Sequence, residues 1–426
     1  MGNPQQSSVR KSTLSNGIRV LTEPIPQFSS ATIGIWVENG SRFESPAQNG
    51  VSHFLEHMLF KGTERRNARE VAEEIESLGG SLNAFTGREV TCYHAKVLDE
   101  HLPIAVDVLS DIFLNSTFLE EEIERERTVI LAEISEVEDA PDQYVQVLFD
   151  EKYWPGDPLS RPICGTAETV SGMGRDDFVA FVAERYRPDR IVIAAAGGVE
   201  HDWLVEQIET RFGHLQGTVD RAPVAMPTPS LQLGVHQKSL EQVQMMLGMP
   251  GLSAVDEERY AAFVLNTALG DGMSSRLFQE VREKRGKAYS IYSYLDSFSN
   301  AGSFGVYAAL GAESVPEVID VVREELSKLE REGLPADELE RSKNQIKGGM
   351  LLSLESTAAR MRRLAVNEIY FGRNVEPHEL ATSITAVTGD DVLAMASRLF
   401  SDGRMAAALL GNLEDTSMDG AALGLS

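Results

Sequence analysis

The stretch that decides the fold is Val170-Ser-Gly-Met-Gly-Arg-Asp-Asp-Phe-Val-Ala-Phe-Val-Ala-Glu-Arg-Tyr-Arg-Pro-Asp-Arg-Ile-Val-Ile-Ala-Ala-Ala-Gly-Gly198, which reads as a helix, a turn and a buried strand. It returns from Ile384 as Ile-Thr-Ala-Val-Thr-Gly-Asp-Asp-Val-Leu-Ala-Met-Ala-Ser-Arg-Leu-Phe-Ser-Asp-Gly-Arg-Met-Ala-Ala-Ala-Leu-Leu-Gly411. One constant offset aligns Asp176 with Asp390, Asp177 with Asp391, Ala180 with Ala394, Arg190 with Arg404 and Gly197 with Gly411. A gapless self-match half a chain apart implies a duplicated domain rather than a short-period solenoid.

Working outward, 426 residues exceed what one core normally serves. Ala222-Pro-Val-Ala-Met-Pro-Thr-Pro-Ser230, rich in proline and without periodicity, is the expected linker. This predicts domains over 1–221 and 231–426. In the first, Ala31–Glu38 alternates as a half-buried strand, and Asn49–Lys61 and Ala68–Leu78 are spaced as helices. Ser81–Thr86 and Val90–Val97 form strands around a turn at Gly87-Arg88, and a charged helix covers Leu119–Val137. The second repeats the order, with helices over Asp256–Leu269 and Ser275–Arg285 and strands from Tyr289 onward. The fold class is therefore α+β: two homologous domains of mixed, largely antiparallel sheet with helices.

His53-Phe-Leu-Glu-His57 sets two imidazoles one helical turn apart on one face, so both can reach one ion. Glu56 beside them can take the proton of a water activated by that ion, and H-x-x-E-H is the inverted zinc-peptidase signature. A catalytic zinc needs a third protein ligand and an open position. In the acidic helix, Glu133 follows the apolar run Val129-Ile-Leu-Ala132 and precedes Ile134, so its carboxylate is expected to turn into the protein more than those of Glu120, Glu121 and Glu122. Glu126, seven residues earlier at nearly the same helical angle, can steady a ligand histidine through its ring N–H. The other histidines, His94, His101, His201, His214, His236 and His378, are isolated and are expected to be structural.

Four segments together resemble the pitrilysin/insulinase family, and most closely its mitochondrial-processing-peptidase type. They are Asn49-Gly-Val-Ser-His-Phe-Leu-Glu-His-Met-Leu-Phe-Lys-Gly-Thr63, Gly79-Gly-Ser-Leu-Asn-Ala-Phe-Thr-Gly-Arg-Glu-Val-Thr91, Glu126–Ile134 and Ser274–Ser290. The resemblance implies that His53, His57 and Glu133 bind Zn2+, that Glu56 is the general base and that Glu126 supports the site. It implies that the strand at Leu82, Asn83 and Ala84 receives peptide as an added β-strand. It also implies that Arg282 and Tyr289 bind the substrate backbone and stabilise the oxyanion. The resemblance further implies that chains this short pair into a chamber, the zinc half of one facing the arginine–tyrosine half of its partner. Because both sets are present, a homodimer is expected, with an unlike partner subunit as the alternative. The short turn Leu269-Gly-Asp-Gly-Met-Ser274, and Lys287 at a position usually apolar, point away from presequence processing.

The expected activity is zinc-dependent endopeptidase action on short or unfolded peptides. The competing classes are a non-catalytic peptide-binding or assembly subunit of the same fold and a dedicated presequence-processing peptidase. With 65 acidic against 39 basic side chains and a formal charge of −26, the chain repels phosphate backbones and anionic headgroups, so neither nucleic acid nor membrane is expected as a partner. A polar Met1–Leu14 and the lack of a long apolar run predict a cytoplasmic protein. Cys92 and Cys164 cannot build a disulfide framework.

Overall fold

A computed structural model describes residues 9–218 and 224–413. Met1–Ser8, and Ala222 and Pro223 of the expected linker, lie outside the described residues. The chain divides into two compact units. The first comprises Met1–Ser135, Arg161–Pro223 and Ser353–Glu376, and the second Glu136–Ser160, Val224–Leu352 and Pro377–Ser426. The contiguous division read from the sequence differs from this in two segments, each of which joins the sheet of the other half.

The first unit is built on a six-stranded sheet of β1 (Arg10–Thr13), β2 (Arg19–Pro24), β3 (Ser30–Val37), β4 (Ser81–Thr86), β5 (Thr91–Leu98) and β6 (Ile191–Gly197), ordered β1-β2-β6-β3-β5-β4. The pair β2/β6 is parallel and the others are antiparallel. Its helices include α1 (Val51–Leu59), α2 (Ala68–Glu76), α3 (Leu102–Asn115) and α4 (Glu120–Asp139), which runs on past the unit's last residue here. The second unit carries β7 (Leu233–Gln237), β8 (Val243–Pro250), β9 (Ala288–Ser297), β10 (Gly302–Leu310) and β11 (Ala406–Gly411), ordered β7-β11-β8-β10-β9. There β7/β11 is parallel and the rest antiparallel. The mixed, largely antiparallel α+β reading holds in both. The two central strands β6 and β11 are the strands that close the two copies of the repeated helix–turn–strand motif.

Both copies are apolar along their length because both faces are covered. In β6, Ile191, Ile193 and Ala195 point into the main core with Phe54 and Phe178, while Val192, Ala194 and Ala196 face a second cluster with Met361, Leu364 and Ala365. Those three residues lie on the helix Thr357–Phe371, which comes from the far end of the chain. In β11, Ala406, Ala408 and Leu410 meet Val145, Leu148 and Phe149 of α5 (Pro141–Tyr153). The small outward-facing residues let these helices come close. A Cβ at Gly34 would stand 2.8 Å from Met361 Sδ, and one at Gly248 would stand 2.3 Å from Phe149 Cζ.

The helices expected over Asn49–Lys61, Ala68–Leu78 and Leu119–Val137 are α1, α2 and α4, with ends moved by a few residues at most. The Ser275–Arg285 helix needs correction. Its core, Phe278–Glu283, is wound as a π-helix, with the Lys284 N–H donating to Gln279 O five residues back. A single π-turn is too short to be told from an α-turn by the spacing of its apolar residues.

Candidate metal centre

The sequence of α1 divides into two stripes. Val51, Phe54, Leu55, Met58 and Leu59 follow the i, i+3, i+4, i+7, i+8 pattern and are buried. His53, Glu56 and His57 occupy the released stripe and are partly exposed. Nine residues make a marginal helix unless its ends are satisfied. Gly50, at φ 97°, offers no capping side chain. The buried carboxylate of Glu44 serves instead, accepting the Gly50 and Ser52 N–H groups at 2.8 Å each and Asn49 Nδ2 at 3.2 Å. Sequence reasoning missed Glu44, because a cap reaching back from six and eight residues upstream has no local signature.

Facing that stripe, α4 presents Glu126 and Glu133, seven residues apart. Glu133 Oε2 lies 3.7 Å from His53 Nε2 and 3.6 Å from His57 Nε2. The three donor atoms fall within 4.8 Å of one another, and no other such group occurs among the described residues. Bonds of about 2.0–2.2 Å to a tetrahedral ion put ligand atoms about 3.3–3.6 Å apart. The two separations from Glu133 come close to that edge length and are too long for hydrogen bonds. The donor set, two imidazoles and a carboxylate, suits zinc and leaves a fourth position free.

Of the three donors, His57 is held from behind. His57 Nδ1 is 3.1 Å from Glu126 Oε2, which directs Nε2 to the centre, and Lys61 Nζ holds the other oxygen of Glu126 at 2.6 Å. Burial, with the neighbouring His57, pushes His53 down to about 4, so its ring is neutral and its lone pair available at neutral pH. Burial also raises the Glu56 carboxyl above its ordinary range, opposed by a hydrogen bond from Thr86 and by His57 and assisted by Glu133. Thr86 Oγ1 donates to Glu56 Oε2 at 2.6 Å. Burial differs from the sequence expectation on α4: Glu126 is the inward carboxylate, its side chain 6% exposed, whereas that of Glu133 is 37% exposed.

Among the described residues, strand β4, with Leu82, Asn83 and Ala84, is the edge of its sheet and pairs with β5 alone. Arg282 and Tyr289 belong to the second unit. There the Arg282 guanidinium lies 4.9 Å from the Phe278 ring centroid and 5.5 Å from that of Tyr289, and Tyr289 is 72% exposed. Of the remaining histidines, His201 is a buried structural residue between Ser12 Oγ and Thr22 Oγ1, both at 2.8 Å.

A family model described as Insulinase (Peptidase family M16) matches residues 19–167, and one described as Peptidase M16 inactive domain matches 172–346. An uncharacterized zinc protease of Streptomyces coelicolor is 42% identical over 418 residues, 96% of this chain and 90% of the relative. The chain belongs to the insulinase family of peptidases. Within it, the uncharacterized zinc protease YmxG of Bacillus subtilis is 41% identical over 394 residues, covering 92% of this chain and 96% of that one. A solved structure from Pseudomonas fluorescens, of a peptidase M16 inactive domain, shares the fold at a TM-score of 0.89 with 20% identity, covering 95% of this chain and 98% of the other. The zinc-type donor set lies within the first family model and Arg282 and Tyr289 within the second. Among the described residues no helix is long and apolar enough to cross a membrane.

Proposed function

We propose that this insulinase-family peptidase is a zinc metalloendopeptidase acting on short or unfolded peptides, with zinc held by His53, His57 and Glu133. The observation that carries the reading is the convergence of those three donor atoms beside the Glu56 carboxylate on the same helical stripe. Zinc in such a site supplies Lewis acidity, making a water nucleophilic near neutral pH and polarising a carbonyl. Glu56 takes the proton of the attacking water and returns it to the leaving amine. Glu126 positions His57 through Nδ1.

The open edge of β4 at Leu82, Asn83 and Ala84 supports binding of an extended peptide by main-chain hydrogen bonds, which read little side-chain identity. Arg282 and Tyr289 serve the substrate backbone and the oxyanion in this reading, and the enzyme works as a homodimer in the cytoplasm. Sedimentation of the purified chain checks the dimer.

The decisive experiment pairs wild type with Glu56→Gln, measuring zinc content and cleavage of a quenched-fluorescent peptide mixture. Both should hold one zinc per chain, and the variant should lose at least about 10²-fold in rate. A zinc-loaded variant with near-normal turnover would remove Glu56 from its role; a wild type that neither binds zinc nor cleaves would favour a peptide-binding subunit.

A further inference from the structure

Thr86 closes β4, and the alternation of that strand decides where its side chain goes. Leu82 and Ala84 pack against the core that includes Phe54, Leu55 and Met58 of α1. Thr86 follows them at the same period of two and so shares the face turned toward α1. Phe85 takes the other face, 5.4 Å from the Trp36 ring and 5.0 Å from the Arg362 guanidinium. The Thr86 hydroxyl has two acceptors within reach: Ser52 O at 3.4 Å and Glu56 Oε2 at 2.6 Å. The second lies in the range of a charge-assisted O–H···O⁻ bond and the first is near the limit of any bond, so the proton goes to Glu56. Register fixes this, since Thr86 stands opposite Thr91 and a slip of one residue would carry the hydroxyl to the opposite face.

Building on the peptidase reading above, we propose that Thr86 is a positioning residue for the general base. Its hydroxyl holds one oxygen of Glu56, leaving the other to meet the attacking water, and it ties the base to the strand that takes the peptide. A carboxylate on a free side chain has several rotamers; one fixed from the substrate-binding strand keeps a single distance to any peptide aligned along that strand.

The test compares wild type, Thr86→Val, which keeps the shape and removes the donor, and Thr86→Ser, which keeps the donor. Kinetics on a fluorogenic peptide and zinc content are measured for all three. Peptide affinity is measured in the Glu56→Gln background with and without Thr86→Val. Expected are a fall in kcat of about 10-fold or more for Thr86→Val with KM and zinc unchanged, and recovery to within about threefold of wild type for Thr86→Ser. Peptide affinity should be equal in the two Glu56→Gln chains. An active wild type with Thr86→Val within twofold of it overturns the assignment alone. So does loss of zinc or of peptide affinity in Thr86→Val, or a Thr86→Ser chain as slow as Thr86→Val, since each marks a merely structural residue. A wild type that binds zinc and cleaves nothing overturns the peptidase reading and this one with it.

Discussion

The two units place a helix after the corresponding central strand, α1 after β3 and Arg259–Gly270 after β8, and the pair shows what duplication preserves. Both helices bury one apolar stripe, in the second unit Ala261, Ala262, Val264, Leu265, Ala268 and Leu269. The stripe released from packing differs. In α1 it carries His53, Glu56 and His57; in the second helix the less buried positions are Arg259, Tyr260, Phe263 and Asn266, with no metal donor. Packing constrains one stripe of a helix and leaves the other open to change, so the same fold can hold chemistry in one copy and none in the other.

Metal removal gives the largest test of that asymmetry. Chelation should abolish peptide hydrolysis, and back-titration should restore it at one zinc per chain, read by elemental analysis with activity; a second equivalent at saturation would break the comparison. Next is Glu126→Gln, which disturbs the support of His57 without removing a ligand. Zinc affinity, measured against a competing chelator, should fall about 10–100-fold.

The outer faces of the two sheets sharpen the comparison in stability rather than chemistry. Gly248→Ala drives a Cβ against the buried ring of Phe149 and should cost about 1–3 kcal/mol by denaturant unfolding. Gly34→Ala meets Met361 Sδ at 2.8 Å and Trp36 Nε1 at 2.9 Å, a less severe approach than the 2.3 Å at Gly248, and should cost less; equal losses would contradict the difference in packing.

The smallest effect is confined to acid pH. Arg65 and Arg66 tie the segment after α1 to Asp107 and Asp111 on α3. Burial opposes ionisation of Asp111, but hydrogen bonds from Asn115, Thr63, Arg66 and Arg65 outweigh it and hold the carboxyl at about 2, against 3.8 ordinarily. A depressed carboxylate stabilises the fold fully above its unfolded value, so this contribution should fade as pH drops from about 4 toward 2. Asp111→Asn should flatten stability against pH in that window.

Much of this was legible in the sequence, for reasons that differ by residue. The two stripes of α1 are a local pattern, and so is the duplicated helix–strand motif that became β6 and β11. Glu133 stood out by its apolar neighbours, although Glu126 is the one that is buried. The sheet that Pro141–Tyr153 or Thr357–Phe371 covers was not legible, because an amphipathic pattern says that a face is buried and not against what. Glu44 and Thr86 were silent for a similar reason: each acts through one hydrogen bond or a few to a group that only the folded chain brings near. The π-turn at Phe278–Glu283 was not legible either, because one short turn is too brief to be told from an α-turn by the spacing of its apolar residues.

The traded helices also set a timetable on the ribosome. The first sheet acquires its last central strand at Gly197, yet the helix that covers its outer face ends at Phe371. At about 5–20 residues per second, Leu21, Trp36 and Val192 face solvent or a chaperone for on the order of ten to thirty seconds before Met361 and Leu364 arrive. A gene cut between the halves would never end that interval.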